Sequence, residues 1–305
     1  MKTITVQTSA RLHFGVIDMS TKKRYGAIGV AVERPKFKVL ARFAHALEIT
    51  GNPESAEYLD YVHWVAEMVC GQFGIKEKVH LEVQECYPLH VGLGGRTQCA
   101  LAIANAILSL YELKAETREI AALLGLGKYT GIGLNAFQQG GFIIDTGQKH
   151  HSICLKFPED WVFVVGIPQG KGLSEEHEIK FMESLVASEL TTSEICEQVL
   201  LEMVPALMEK DIWRFGKALS KVQELTGSVF AKAQGGVFSG LSQNAVKLIE
   251  DCGAAGSGQS SWGPTVYGLF PSQQEAEKAL EKLKRKDGKT LWFTTRARNR
   301  GAAVE

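Results

Sequence analysis

Between Pro88 and Ile107 the chain reads PLHVGLGGRTQCALAIANAI, a polar glycine-rich loop running directly into a segment that is apolar on almost every side. A surface helix keeps one polar face, whereas the residues from Cys99 to Leu110 leave none. The segment therefore predicts a helix enclosed on most sides, and the rest of the chain must supply layers around it. Whatever else this fold does, it must present a glycine loop at the mouth of a buried helix.

Such a loop has a chemical use. Glycines opening a helix expose several backbone N–H groups, unobstructed by Cβ atoms, at the positive end of the helix dipole. Phosphate is the natural guest. Arg96 and Thr97 suit it, since a guanidinium grips phosphate oxygens in a two-point bond and a hydroxyl donates or helps to hold Mg²⁺. For a glycine loop taken alone, tight packing of helix on strand is the commoner explanation. The polar run Arg96, Thr97, Gln98 beside so apolar a helix favours an anion site formed by Gly92, Leu93, Gly94, Gly95 and those three residues.

Other glycine segments do not complete a nucleotide fingerprint. GLGGRT lacks the third glycine of GxGxxG, GIGLNA and GSGQSS fail at the same place, and GLGKYT has Ala122 where a Walker A loop needs its first glycine. The segment GAAGSGQSSWGPTVYGLF reads as a second donor-rich turn, with Ser257, Gly258, Gln259, Ser260 and Ser261, before a strand beginning at Pro264. Serine and glycine are common turn formers, so an ordinary loop is an equal reading of it.

In SARLHFGVID, Arg11 and His13 stand two residues apart on one face of a predicted strand, with Asp18 just past its end. They are candidate substrate contacts; a solvated edge strand is the competing reading. His150 and His151 read as an exposed connection. Arg296, Arg298 and Arg300 crowd five residues near the C-terminus, either as a solvated tail or as a strap over an anion.

TITVQTSARLHFG and KVHLEVQE alternate like half-buried strands, and Tyr58 to Phe73 has helical spacing that ends at glycines. GGFIIDTG and WVFVVGIP are further strands, and the composition suits a domain boundary near residue 155, giving domains over 1–155 and 156–305. The second half predicts a charged helix in SEEHEIKFMESL, longer helices from about Thr192 to Leu225, a helix in SGLSQNAVKLIEDC, a strand in PTVYGLF and a helix opened by Ser272 and Glu275. Helices then alternate with a small sheet, and the two halves enclose a cleft.

A chain of 305 residues with 34 Lys+Arg against 34 Asp+Glu has no global field to gather nucleic acid or an anionic membrane, so an anion needs a local device. The six cysteines form no CxxC pair, which disfavours zinc clusters and a disulfide framework and suggests buried thiols in a reducing cytoplasm. No run is apolar for the roughly 18 residues of a membrane span.

Together SARLHFG, PLHVGLGGRTQCALA and GSGQSSWGPTVYG resemble, in order, the three motifs of the GHMP superfamily of small-molecule kinases. The resemblance implies an α+β, two-domain GHMP-kinase-like fold: a ribosomal-S5-like N-terminal domain, a ferredoxin-like C-terminal domain and an active site between them. Two departures stand out. Gly95 and Arg96 replace the paired serines of the second motif, and in TGIGLNAFQQGG the positions Leu134 and Asn135 stand where many of these kinases carry an aspartate base. Asn135 cannot take a proton, though it can bind substrate.

The wording of ARLHFGVID, GLGGRTQCALA, GIGLNAFQQGGFIID, GQSSWGPTVYG and RARNRGA is similar to one branch, the β-ribofuranosylaminobenzene 5′-phosphate synthases. That likeness implies a transferase that couples 5-phosphoribosyl 1-pyrophosphate to 4-aminobenzoate with loss of pyrophosphate and CO₂. It implies Mg²⁺ travelling with phosphates, a phosphorylated small molecule as partner, Arg11 and His13 facing substrate with His13 titrating near 6.5, and Asp18 at the ribosyl centre or a metal. The alternatives are an ATP-dependent kinase and a non-catalytic nucleotide-binding protein of the same fold. A homodimer stays open.

Overall fold

The computed structural model describes residues 2–20, 25–76, 78–147, 151–170, 172, 180–181 and 187–305. The predicted charged helix of SEEHEIKFMESL and His150 lie outside the described residues, apart from Lys180 and Phe181 of the former.

The first half is a mixed sheet with helices on one side. Strands β1 (Thr3–Asp18) and β2 (Tyr25–Phe43) form a long antiparallel ribbon, followed by β3 (Glu48–Gly51), α1 (Leu59–Phe73), β4 (Val79–Glu85), α2 (Gly95–Leu110), α3 (Thr117–Leu123), α4 (Ile132–Gln138), β5 (Phe142–Asp145) and β6 (Ser152–Leu155). β4 adds to β2 antiparallel and β3 to β4 parallel, while β5 and β6 extend the other stretch of β2. Helix α1 ends as its glycines predict, with Gly74 left-handed at the C-cap.

Helix α2 is the enclosed helix. Every residue from Gln98 to Ala104 is buried, as are Ala106, Ile107, Leu108 and Leu110, because the helix contacts β1, β2, α1, α3 and α4. Asn105 spends its amide on the Leu101 carbonyl at 2.8 Å, so even its polar residue is satisfied within the helix.

The second half holds β7 (Val162–Ile167), α5 (Glu189–Glu197), a π-helical stretch (Gln198–Met203), α6 (Val204–Glu209), α7 (Ile212–Gln234), α8 (Gly240–Glu250), β8 (Gly256–Gln259), β9 (Val266–Phe270), α9 (Gln273–Lys286) and β10 (Leu291–Arg296). Its sheet order is β10-β7-β9-β8, all antiparallel. In the half's own counting that is 4-1-3-2, the ferredoxin-like arrangement. The predicted helices from about Thr192 to Leu225 run from Glu189 to Gln234, and the break between them falls where Lys210 is left-handed and Asp211 caps a new helix through the Trp213 and Arg214 amides.

The final residues leave the second half. Ala297 bridges to Val32, and β11 (Ala303–Val304) pairs with Val6 and Gln7 of β1. The arginine run is therefore tied to the first-half sheet and lines neither cavity, with Arg296 and Arg300 exposed to solvent. Arg298 is buried and donates from Nη2 to the Gly301 carbonyl at 2.6 Å, while its own backbone joins Ala31 and Gly141.

One aromatic cluster joins the halves. Phe14 of β1 lies 6.3 Å from Phe142, 6.2 Å from Phe163 and 5.2 Å from Tyr267 between ring centroids, so burial of both sheets fixes how the cleft is set. None of the six cysteines forms a disulfide; Cys70 and Cys99 are buried and the other four half-buried. Among the described residues no helix is long and apolar enough to cross a membrane.

Candidate active site

The cleft is built on the exposed side of β1. Two of its amides pair with loops: the Arg11 N–H donates to the Leu93 carbonyl at 3.2 Å and the His13 N–H to Ser260 Oγ at 2.9 Å. What reads in the sequence as an open strand edge is thus covered by the two glycine loops. Those loops also hold each other. Ser260 Oγ donates to the Gly92 carbonyl at 2.7 Å, an acceptor shared with the Arg11 guanidinium, and the Thr265 N–H reaches the Val91 carbonyl at 3.2 Å.

Gly92 and Gly94 are left-handed, with φ of 84° and 79°. A Cβ on Gly92 would lie 2.2 Å from the Ser260 carbonyl oxygen, so only glycine permits the loops to meet. Gly94 then serves as the N-cap of α2, and no side chain caps that helix.

In front of the uncapped turn lies a cavity of about 350 Å³. Gly92, Gly94, Gly95, Arg96 and Thr97 line it, and Arg11 forms another wall. A third wall went unread: Gly125 to Thr130, including Lys128. This is the GLGKYT segment that fails as a Walker A loop. Its glycines at 125 and 127 are left-handed, and Asp145 holds its far end through the Gly131 amide. A lysine following two glycines was the available signal; its nearness to α2 was not.

The charge of the cavity is one-sided. Its described lining carries Arg11, Arg96 and Lys128 and not one carboxylate. The Arg96 guanidinium lies 4.5 Å over the centre of the Tyr61 ring, and burial pushes the Tyr61 phenol up to about 12, so the ring is a neutral support rather than a counter-ion.

A second cavity of about 80 Å³ adjoins the first, sharing Arg11, Tyr129, Thr130, Ser261 and Trp262. His13 and Gln259 line it together with Gln223, Thr226, Gln234 and aromatic rings from Phe230 and Phe238. The Phe230 and Trp262 rings stand 4.4 Å apart. Gln223, Thr226, Phe230 and Gln234 sit on α7 and were not singled out from sequence, because a helix with so regular an apolar face gives no sign of which side meets a ligand.

Several sequence candidates do not line either cavity. Leu93 is core, contributing only its carbonyl to Arg11. Gln98 is buried between Thr8, whose hydroxyl it accepts, and the Gly133 carbonyl, to which it donates at 2.8 Å. Asp18 turns back on the Ser20 N–H at 2.9 Å and the Thr192 hydroxyl at 3.4 Å. Asn135 donates to the Gly131 carbonyl at 2.8 Å within α4. Ser257 and Gly258 belong to strand β8 rather than a turn. Ser257 Oγ bonds Glu250 at 2.7 Å, and Gly258 abuts the Gln223 side chain. Ser260 shapes the junction without facing a cavity, whereas Ser261, at φ 56°, lines both. His151 is exposed, as expected of that connection.

His13 differs from expectation in its protonation. Burial, reinforced by the Arg11 charge and only partly offset by Asp145, lowers its pKa from 6.5 to about 3. At neutral pH it is an uncharged imidazole, a hydrogen-bonding group rather than a proton exchanger.

The described residues contain no group of three or more His, Cys, Asp or Glu able to hold a metal ion. With hydroxyls and backbone oxygens but no carboxylate in its described lining, the cationic cavity does not build a resident Mg²⁺ site.

Residues 60–138 match the family described as GHMP kinases N terminal domain and residues 203–289 that described as GHMP kinases C terminal. The chain is 32% identical to the β-ribofuranosylphenol 5′-phosphate synthase of Archaeoglobus fulgidus, covering 99% of each chain. It is 30% identical to the enzyme of that name from Methanocaldococcus jannaschii, over 90% of this chain and 92% of the relative. The homoserine kinase of Cytophaga hutchinsonii superposes with a TM-score of 0.73 at 18% identity, over 100% of this chain and 98% of that one. Matched in both domains, and in sequence along its whole length, the chain belongs to the GHMP kinase family and within it is similar to the β-ribofuranosylphenol 5′-phosphate synthases.

Proposed function

We propose that this protein is a transferase that joins the anomeric carbon of 5-phosphoribosyl 1-pyrophosphate to the ring of a 4-substituted benzoate, releasing pyrophosphate and CO₂. The observation that carries the reading is the pairing of a cavity whose described lining bears three cations and no carboxylate with a smaller aromatic pocket across a shared wall. One ligand with two phosphorylated ends and one planar acid divide naturally between them.

The reaction makes modest demands on this chain. The ring carbon bearing the carboxylate attacks the anomeric carbon as its bond to pyrophosphate oxygen breaks, and the leaving group takes that electron pair. CO₂ then departs, leaving its electrons to restore the aromatic ring. No ring proton has to be removed, which suits a site whose histidine is held neutral and whose Asn135 lies elsewhere. The uncapped turn of α2 with Arg96 and Lys128 stabilises charge growing on the leaving group, the step at which preorganised donors act most strongly. Bound through pyrophosphate oxygens, Mg²⁺ would neutralise further charge there.

The relatives' name specifies a phenol product, so the acceptor favoured here is 4-hydroxybenzoate rather than the 4-aminobenzoate expected from sequence. The test is incubation with phosphoribosyl pyrophosphate, Mg²⁺ and either benzoate. Release of pyrophosphate and CO₂ supports the transferase; phosphorylation of an alcohol by ATP, with no such release, establishes the kinase alternative. Ligand-dependent thermal stabilisation without turnover in either assay establishes a binding protein.

A further inference from the structure

The smaller cavity contains an unusual surplus. Its amide side chains are all engaged: Gln223 accepts from the Gln259 N–H at 2.7 Å and donates to the Phe14 carbonyl. Gln259 accepts from Ser239 at 2.8 Å and donates to Gln234 and to the Ser261 carbonyl. Gln234 donates to the Val237 carbonyl at 2.7 Å. Two hydroxyls on lining residues are buried yet have no hydrogen-bond partner, Thr226 Oγ1 and Tyr129 Oη. A buried, unpaired hydroxyl is costly, and its persistence at a cavity wall points to a partner that arrives from outside.

Position distinguishes the two. Tyr129 belongs to the wall shared with the cationic cavity, whereas Thr226 lines the small cavity alone. Thr226 stands beside Gly15, where its Oγ1 is 2.7 Å from the place a Cβ would occupy. Gly15 is four residues along β1 from Arg11, so about 13 Å of strand separates the two landmarks. A rigid ring therefore has only one sensible direction. The carbon that bonds the ribosyl group must face the shared wall, and the substituent opposite it must face Thr226.

We infer that Thr226 is a specificity-determining residue for the acceptor, its hydroxyl accepting a hydrogen bond from the para O–H or N–H of an aromatic carboxylate seated in the small cavity. The inference rests on the transferase reading and adds which residue reads the acceptor. It also gives the hydroxyl a chemical part: accepting from the para group raises that group's electron donation to the attacking carbon. Apolar walls from Phe230, Phe238 and Trp262 suit the ring, and the pocket's described lining offers no carboxylate to repel the acid.

The test uses the full-length chain and the substitution Thr226→Val, which keeps the shape and removes a hydroxyl that bonds nothing within the protein. Melting temperature should be unchanged or raised. Calorimetric titrations compare 4-hydroxybenzoate, 4-aminobenzoate and unsubstituted benzoate, with phosphoribosyl pyrophosphate titrated in parallel. The variant should bind both para-substituted acids about five- to tenfold more weakly, the loss of one hydrogen bond, and bind benzoate and phosphoribosyl pyrophosphate as the wild type does. Equal loss for all three acids, no loss for any, or no binding of either para-substituted acid by the wild type overturns the assignment while leaving the cationic cavity intact. A wild-type protein that binds no phosphoribosyl pyrophosphate overturns the functional reading, and this assignment with it.

Discussion

The two cavities meet at a common wall yet recognise by opposite means. The larger is walled by backbone turns and long cations, so it reads charge; the smaller is walled by amides and rings, from α7 and from the segments around Phe238 and Trp262, and reads shape and hydrogen bonding. Backbone recognition needs glycine at fixed places, since a Cβ at Gly92 would strike the Ser260 carbonyl and one at Gly94 would crowd the Arg11 side chain. Side-chain recognition tolerates exchange and can drift in specificity. The difference predicts that damage to the first cavity removes function, whereas damage to the second redirects it.

The largest effect should come from the hinge between them. Gly92→Ala places a Cβ 2.2 Å from the Ser260 carbonyl on a left-handed backbone, and should cost about 3 kcal/mol or more and abolish binding of phosphoribosyl pyrophosphate. Gly125→Ala is the control: also left-handed, but with nothing within 4 Å of the added Cβ. Its expected cost is about 1 kcal/mol by thermal or denaturant unfolding. Equal costs would show that the contact between the two loops does not hold the cleft.

Next in size are the cations. Arg96→Ala should weaken phosphoribosyl pyrophosphate by about 1.5–3 kcal/mol, roughly ten- to a hundredfold, and leave benzoate binding unchanged. Arg11→Ala, on the shared wall, should weaken both ligands. If the Arg11 variant affects only one of them, the cavities do not share a working boundary.

This division also explains what could be read from sequence. The glycine loop and the buried helix were legible because they depend on local backbone: a run without Cβ atoms before a segment without a polar face. So were the first-half strands TITVQTSARLHFG and KVHLEVQE, by their alternation, whereas those of WVFVVGIP and PTVYGLF, buried along their whole length, show as short apolar runs. Polar residues were legible only as polar. Asp18, Gln98, Asn135 and Ser257 read as ligand contacts, but Ser20, Gly133, Gly131 and Glu250 claim them in the fold. Lys128 and Trp262 were missed for the converse reason, because their approach to α2 is wholly tertiary. Thr226 sits in the middle of a long amphipathic helix, and only the absence of a partner marks it.

His13 gives a test that sequence would have set in the wrong place. The unfolded chain takes up a proton near pH 6.5, while the folded chain refuses it until about pH 3. Between those values the unfolded state binds more protons, so stability should fall as pH drops from about 6.5 toward 3, and this contribution should be flat above 6.5. His13→Asn should lose less melting temperature over that acid range than the wild type. The rate of turnover should show no histidine step between pH 5 and 8; such a step, absent from the Asn variant, would mean that His13 titrates as an ordinary imidazole.

The smallest effect concerns how Arg96 is kept ready. Its guanidinium covers the Tyr61 ring at 4.5 Å and also donates a hydrogen bond to the phenol oxygen. Because burial keeps that phenol protonated, the attraction is to the ring face and the neutral oxygen, each of modest strength. Tyr61→Phe keeps the ring and drops the oxygen; Tyr61→Leu drops both. If the face holds the arginine, Phe should bind inorganic pyrophosphate like the wild type, and Leu about two- to fivefold more weakly, as loss of a cation–π contact of about 0.5–1 kcal/mol implies. If the oxygen holds it, both variants should weaken alike. An unchanged Leu variant would mean that the cavity orients Arg96 without Tyr61, leaving the backbone amides of α2 as the element that fixes where the pyrophosphate lies.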